Sequence, residues 1–537
     1  MKTKPFLRVV IPMLFAISCN QKDAKTNNRS EVQDLMAKVE KTVTADSASS
    51  AGKPDADYNT EEYGNIVEND FLAAKENPLS TFSIDVDHAA YSNIRRFIRE
   101  GSLPPNGAVR IEEMVNYFDY DYTPPQNDDP FAVHTEISSC PWNEKHRLVH
   151  IGLKGKEIAK DKLPPANLVF LIDVSGSMDE PNKLPLVKSS LNMLTDQLRE
   201  EDKVAIVVYA GAAGMVLPST HGNEKMKIKD AINNLDAGGA TAGAEGIRLA
   251  YEIARQNFIS NGNNRVVLAT DGDFNVGVSS DDELVSLIEK QRKTNIFLTA
   301  LGFGMGNYKD SKMQQLADKG NGNHAYIDNE SEATKELVKE FGGTLFTIAK
   351  DVKLQVEFNP AKVQSYRLIG YENRMLKKED FNNDAKDAGE LGAGHRVTAL
   401  YEVIPVGVKD EPITKVDPLK YQAQLTNNYS NSTNEIMTIK LRFKKPDEEI
   451  SKLIVHPVVD THTALLSTSD NFRFSAAVAA FGMVLRNSAY KANASYKSVI
   501  ELAESASGRD KEGYRNEFIE LVNEAARLTK KGESKNF

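Results

Sequence analysis

Cysteine is nearly absent from this chain of 537 residues, which has two, Cys19 and Cys140. If Cys19 is consumed at a processed N-terminus, Cys140 stands alone and no internal disulfide framework can form. Positive charge is not in excess, since 66 Lys and Arg face 76 Asp and Glu for a formal net charge of -10, which argues against a nucleic-acid partner. After residue 17 no apolar run reaches the length that spans a bilayer. The nine histidines show no H-E-x-x-H spacing and have no cysteine partners, which argues against a zinc site. Internal repeats are missing too. What remains, 40% hydrophobic and 26% charged residues, is the composition of an ordinary globular protein, with length for roughly two to four units.

Lys2, Lys4 and Arg8 precede an apolar stretch from Val9 to Ile17 that ends at Ser18-Cys19, so residues 1–19 read as a secretory signal peptide. Ala16-Ile17-Ser18-Cys19 resembles a bacterial lipobox, departing from it in having Ala16 where a larger aliphatic is usual. The resemblance implies a lipid on Cys19; the alternative is cleavage elsewhere by the ordinary peptidase. Asn20-Gln21-Lys22-Asp23 looks like the charged signal that exports some Bacteroidetes lipoproteins to the cell surface. The expected location is thus the cell envelope, lipid-anchored to a bacterial membrane, the outer one, facing either the surface or the periplasm. Residues 20–78 are rich in Lys, Asn, Asp, Ser and Glu and lack apolar periodicity, which predicts a disordered tether whose ends lie on the order of 40 Å apart. A short helix is expected within it around Glu31 to Val43.

An N-terminal segment of helices and strands is expected over 79–160, with a strand at Thr81 to Asp87, helices at Tyr91 to Glu100 and Arg110 to Phe118, and strands at Phe131 to Ser138 and Arg147 to Leu153. Residues 165–345 then alternate strand and helix. Strand candidates are Leu168 to Ile172, Val204 to Tyr209, Val266 to Ala269, Ile296 to Leu301 and Ala325 to Ile327, separated by amphipathic stripes such as Ile247, Ala250, Tyr251, Ala254 and Phe258. Such alternation predicts a Rossmann-like α/β unit with a mainly parallel sheet. Residues 346–530 read as β-rich and then helical. Strands on both sides of the α/β unit suggest that it is inserted into one β-rich body built from the two flanks.

Asp173-Val-Ser175-Gly-Ser177-Met178 follows the apolar run Leu168 to Ile172, placing a carboxylate and two hydroxyls where a buried strand surfaces. Open α/β sheets bind ligands beyond the carboxyl ends of their strands, and three hard oxygen donors suit a divalent ion. The D-x-S-x-S pattern resembles the metal-ion-dependent adhesion site of the von Willebrand factor type A domain. That resemblance implies Ser175 and Ser177 as direct ligands, Thr241 in Gly238-Gly-Ala-Thr241-Ala-Gly243 from a second loop, and Asp271 in Thr270-Asp271-Gly272 from a third. Asp173 and Asp271 then act through water or as orienting acceptors. It also implies Mg²⁺, with Mn²⁺ able to substitute and Ca²⁺ less apt, and a protein partner whose Glu or Asp completes the coordination. The bland alternative is that these groups only cap a helix and brace loops.

A wider resemblance, to bacterial von Willebrand A proteins of the YfbK-like type, rests on Phe82-Ser-Ile-Asp-Val-Asp87, Arg95-Arg96, Val115-Asn-Tyr-Phe118, Cys140-Pro-Trp142, Thr270 to Gly277, Gly394 to Tyr401 and Phe472 to Ala477. It covers Ser80 to the C-terminus and implies an architecture; it is the adhesion-site resemblance that implies a binding module in place of an enzyme. Two rivals stand beside it. Asp85 and Asp87 mimic the paired aspartates of haloacid-dehalogenase-like phosphatases, although Ala89 stands where a threonine is expected, which favours a strand-edge or capping role. A scaffold in which the metal is structural is the second. Gly302-Phe-Gly304-Met-Gly306 reads as a turn, Cys140 as a small buried residue, and Ser175 and Ser177 lack the G-x-S-x-G setting of a nucleophile.

Overall fold

The computed structural model describes residues 59–84, 87–239, 243–272, 281–340, 346–409, 433–446 and 448–535. The leader, Cys19 and the helix expected near Glu31 lie outside them, as do Asp85, Thr241 and Asp273. Among the described residues no helix is long and apolar enough to cross a membrane.

In chain order the first flank supplies β1 (Leu72–Ala73), β2 (Leu79–Ser83), α1 (Ala89–Arg99), α2 (Ile111–Asn116), β3 (Phe131–Cys140) and β4 (Asn143–Gly155). The α/β unit follows with β5 (Ala166–Asp173), α3 (Leu184–Gln197), β6 (Lys203–Tyr209), β7 (Ala213–His221), α4 (Lys225–Asn233), α5 (Gly243–Gln256), β8 (Asn263–Thr270), α6 (Asp281–Arg292), β9 (Ile296–Phe303), α7 (Asp310–Lys319), β10 (His324–Ile327) and α8 (Glu330–Thr334). The second flank adds β11 (Thr347–Phe358), β12 (Val363–Ile369), β13 (Gly389–Gly392), β14 (Arg396–Pro405), β15 (Glu435–Lys444), β16 (Lys452–Val459), α9 (Asp470–Leu485), α10 (Tyr496–Glu504) and α11 (Tyr514–Lys535).

The α/β sheet runs β10-β9-β8-β5-β6-β7, parallel throughout except for the last pair. Helices cover both faces, so every residue of β5 and of β8 is buried, which explains why these strands read as continuous apolar runs without alternation. Two separate apolar clusters, one on each face, hold the layers together.

The flanks form one body, as the strands on both sides of the α/β unit suggested. β4 pairs with β14 from Arg147↔Val403 to Lys154↔Arg396, in a sheet ordered β1-β12-β14-β4-β3. A second sheet, β13-β11-β15-β16 with β2 on β11, packs against it, and Phe82, Val149, Val356, Tyr401 and Leu441 share one core. On the first sheet's outer side α2, α9, α10 and α11 bury Trp142, Phe474, Phe481 and Phe518. Residues 79–160 and 346–530 are therefore not separate units.

The expected tether ends sooner than residue 78. Phe71 and Ala74 are buried, β1 pairs with β12, and the Asn69 amide donates to the Leu368 and Gly370 carbonyls at 3.2 and 2.9 Å. These anchors are spaced irregularly, so periodicity carries no sign of them.

Candidate functional site

β5 ends at Asp173, and its neighbours β6 and β8 end at Tyr209 and Thr270, so the three strand ends meet around one carboxylate. Asp173 is fully buried. Its Oδ2 accepts from the Tyr209 hydroxyl at 3.1 Å and from Thr270 Oγ1 at 3.0 Å, and its Oδ1 accepts from the Ser175 amide at 2.9 Å. Burial and the neighbouring Asp271 raise its pKa, against the hydrogen bonds from Ser175 and Thr270 that favour the anion. Burial and the Asp173 charge likewise keep the Tyr209 hydroxyl protonated. Asp173 therefore shapes the loop more than it faces outward.

The loop it shapes presents Ser175 and Ser177, whose Oγ atoms lie 3.1 Å apart. Ser175 is buried and Ser177 exposed, so the pair opens to solvent from inside the rim. Two cis oxygens on Mg²⁺, at 2.0–2.1 Å each, are separated by about 2.9 Å, whereas the longer bonds to Ca²⁺ spread them to about 3.3–3.7 Å. The observed pair, 3.1 Å apart, lies midway between about 2.9 and 3.3 Å, so its spacing suits a hard divalent cation without choosing between the two. The loop is further fixed by the Gly176 amide on the Gly239 carbonyl at 3.0 Å and the Gly238 amide on the Val174 carbonyl at 2.7 Å, which brings the segment leading to Thr241 alongside. Thr241 itself lies outside the described residues. Asp179 is exposed, in keeping with a solvated carboxylate.

Asp271 is fully buried one residue beyond β8, and here the structure adds groups that the motif did not announce. Lys183 Nζ lies 3.3 Å from its Oδ2, and the Asn307 amide donates to the same oxygen at 2.8 Å. Lys183 is buried and reaches Asp271 over Gly304, whose φ of +72° and close approach to the lysine chain leave no space for a side chain. Gly272 is constrained in the same way: its φ is +89°, and a Cβ there would lie 2.6 Å from the Lys309 nitrogen. No local pattern distinguishes Lys183 or Asn307, because only the tertiary fold brings them to Asp271.

Asp87, the described member of the Asp85 and Asp87 pair, has no room for phosphoryl chemistry. Its Oδ1 accepts from the His324 amide at the start of β10 at 2.7 Å, and its Oδ2 from Arg374 at 3.0 Å. Cys140 is buried in the helical core, and burial pushes its thiol well above the usual range.

Comparison with known proteins fits this architecture. The family model described as von Willebrand factor type A domain matches residues 167–340, that described as von Willebrand factor matches 57–150, and that described as uncharacterized protein YfbK, C-terminal, matches 343–528. Uncharacterized protein YfbK of Escherichia coli (strain K12) is 43% identical over 508 residues, covering 93% of this chain and 87% of that protein. Inter-alpha-trypsin inhibitor heavy chain H3 of Mesocricetus auratus is 23% identical over 302 residues, covering 52% of this chain and 32% of its own length. Among solved structures, von Willebrand factor type A from Catenulispora acidiphila aligns over 86% of this chain and 91% of its own, with 15% identity and a TM-score of 0.39. The chain belongs to the YfbK family of von Willebrand factor type A proteins.

Proposed function

We propose that the α/β unit captures a protein partner through a divalent cation held by the hydroxyls of Ser175 and Ser177, with Thr241 as the third oxygen from the second loop and Asp173 and Asp271 as orienting carboxylates. Von Willebrand factor type A domains are in general non-catalytic modules of protein–protein interaction and often carry a metal-ion-dependent adhesion site. The observation that carries the reading is the hydroxyl pair at 3.1 Å, open to solvent at the ends of parallel strands. Neutral donors leave a Mg²⁺ or Mn²⁺ ion with most of its charge, which a partner's Glu or Asp then meets. Met305, exposed two residues before Asn307, adds an apolar contact beside the polar centre. The lipid proposed at Cys19 puts this module on the cell envelope, at an outer-membrane surface.

The fold does not lean on the ion, which speaks against a purely structural metal. Asp173 already accepts from three protein donors, and Lys183 with Asn307 compensates Asp271. The test is Mg²⁺ titration by calorimetry together with pull-down from envelope extract in Mg²⁺ and in EDTA. We expect Ser175→Ala to abolish both Mg²⁺ uptake and Mg²⁺-dependent capture while the chain still folds, since losing the hydrogen bond of this buried hydroxyl costs about 0.5–1.5 kcal/mol. Mg²⁺ uptake unaffected by Ser175→Ala would refute the reading.

A further inference from the structure

A second cluster of ligand atoms lies at the seam between the α/β unit and its frame. After α8 the helix widens into a π turn over Lys335–Lys339, with the Glu340 amide donating to the Lys335 carbonyl at 3.0 Å. Such turns are rare and concentrate at functional sites. This one turns Glu336 and Glu340 toward His88, at the start of α1. His88 Nδ1 lies 3.2 Å from Glu336 Oε1 and 3.3 Å from Glu340 Oε2, and the three ligand atoms are all within 4.8 Å of one another.

Charge counting leaves the cluster one positive charge short of balance, a deficit that a proton on His88 fills and a divalent ion exceeds by one. Lys335 Nζ, 2.7 Å from Glu340 Oε1 and 3.4 Å from Glu336 Oε1, balances one of the two carboxylates. The nearby cations are engaged elsewhere: Lys154 with Glu157, Lys339 with Glu512 and Arg396 with Asp119. One negative charge is left for a proton on His88 or for a metal ion.

Two further observations favour a metal. The separations of 3.2 and 3.3 Å match the edges of a tetrahedron built on zinc bonds of 2.0–2.2 Å, about 3.3 Å. Secondly, His395, whose Nε2 has no hydrogen-bond partner, stands edge-on to the buried His88 at 6.1 Å between ring centroids. Two imidazoles around one ion have centroids about 5–6 Å apart. Both histidines line a cavity of about 300 Å³ that reaches Lys154 and Arg396, so a coordination position stays accessible.

We propose that His88, Glu336 and Glu340, with His395 within reach as a fourth ligand, form a binding site for a borderline divalent transition metal of the Zn²⁺ class, separate from the hydroxyl site. Imidazole with carboxylate selects such ions over Mg²⁺. Lys335 holds the carboxylates from behind. The histidine spacing argued against zinc only because ligands 248 residues apart leave no local signature.

The test uses the full chain carrying Ser175→Ala and Ser177→Ala, so that the hydroxyl site is silent and the two readings fail independently. Zn²⁺ is titrated by calorimetry and Co²⁺ by visible absorption. The background chain should take up one equivalent of either, with the intense bands of four-coordinate Co²⁺, and Glu340→Gln or His88→Asn should each weaken uptake by more than about tenfold. Glu340→Gln, at the more exposed ligand, decides the matter if His88→Asn fails to fold. No uptake by the background chain, or uptake that these substitutions leave unchanged, overturns the proposal and leaves a protonated His88 in an ion-pair network.

Discussion

At the solvent end of the α/β unit Ser175 and Ser177 present neutral hydroxyls around an Asp173 held by three donors, whereas the flank facing the frame is built from buried charges. There Arg95 lies between Asp328 and Glu332 at 2.5 and 2.6 Å, and Arg110 bridges Glu113 of the frame and Asp310 of the α/β unit. The Ser92 hydroxyl adds a bond to the Tyr326 carbonyl of β10 at 2.7 Å. A buried ion pair adds little net stability over a well-packed apolar pair, but removing one partner strands the other in a medium that penalises it heavily. The flank therefore fixes orientation and tolerates little change, while the hydroxyl end is free to serve a ligand.

That contrast is most open to attack at Arg110. Arg110→Ala leaves Glu113 and Asp310 buried without their cation and should cost about 3–5 kcal/mol, read by urea denaturation. A loss under about 1 kcal/mol would show that the flank is no clamp.

Acid should loosen the frame next. Burial pushes His150, which contacts the Tyr122 hydroxyl and Ser475, and His324, at the start of β10, down to about 3 from an ordinary 6.5. Both stay neutral in the folded chain, while the unfolded chain takes up protons once pH falls below about 6.5. Their contribution is complete above that pH and declines toward pH 3, by about 1.4 kcal/mol per pH unit for each residue. Denaturation midpoints measured at pH 7.5 and 5.5 should show the loss, and His150→Gln should reduce the slope by its own share, beside those of His324 and of His395, which burial pushes down to about 4.

The smallest expected effect sharpens the other side of the comparison. Lys183→Met withdraws a cation from Asp271 and should cost about 1–2 kcal/mol in EDTA, a cost that Mg²⁺ relieves by replacing the lost charge. Melting with and without Mg²⁺ reads this directly, and equal destabilisation under both conditions would detach Lys183 from the ion site.

The parts legible in the sequence were those whose signals are local. β5 and β8 announce themselves as apolar runs because helices cover both faces, and Asp173, Ser175 and Ser177 form a contiguous motif on one turn. β7 went unrecognised: it is an edge strand, exposed at Met215 and Val216 and interrupted by Pro218. β16 hides for the same reason, with Leu453 and Val455 exposed and Pro457 within it. Lys183, Asn307 and the pairing of His88 with Glu336 depend on crossovers between strands, for which a single sequence holds no spacing rule.

The backbone near Asn59 has a mechanical meaning. The Thr60 amide donates to the Gly306 carbonyl at 2.7 Å, Glu62 bridges to Lys309, and Lys309 abuts Gly272, the neighbour of Asp271. Were the chain held at the proposed Cys19 anchor while a partner bound at Ser175, these few backbone bonds to Gly306 and Lys309 would be where a pull on the segment before Asn59 enters the α/β unit.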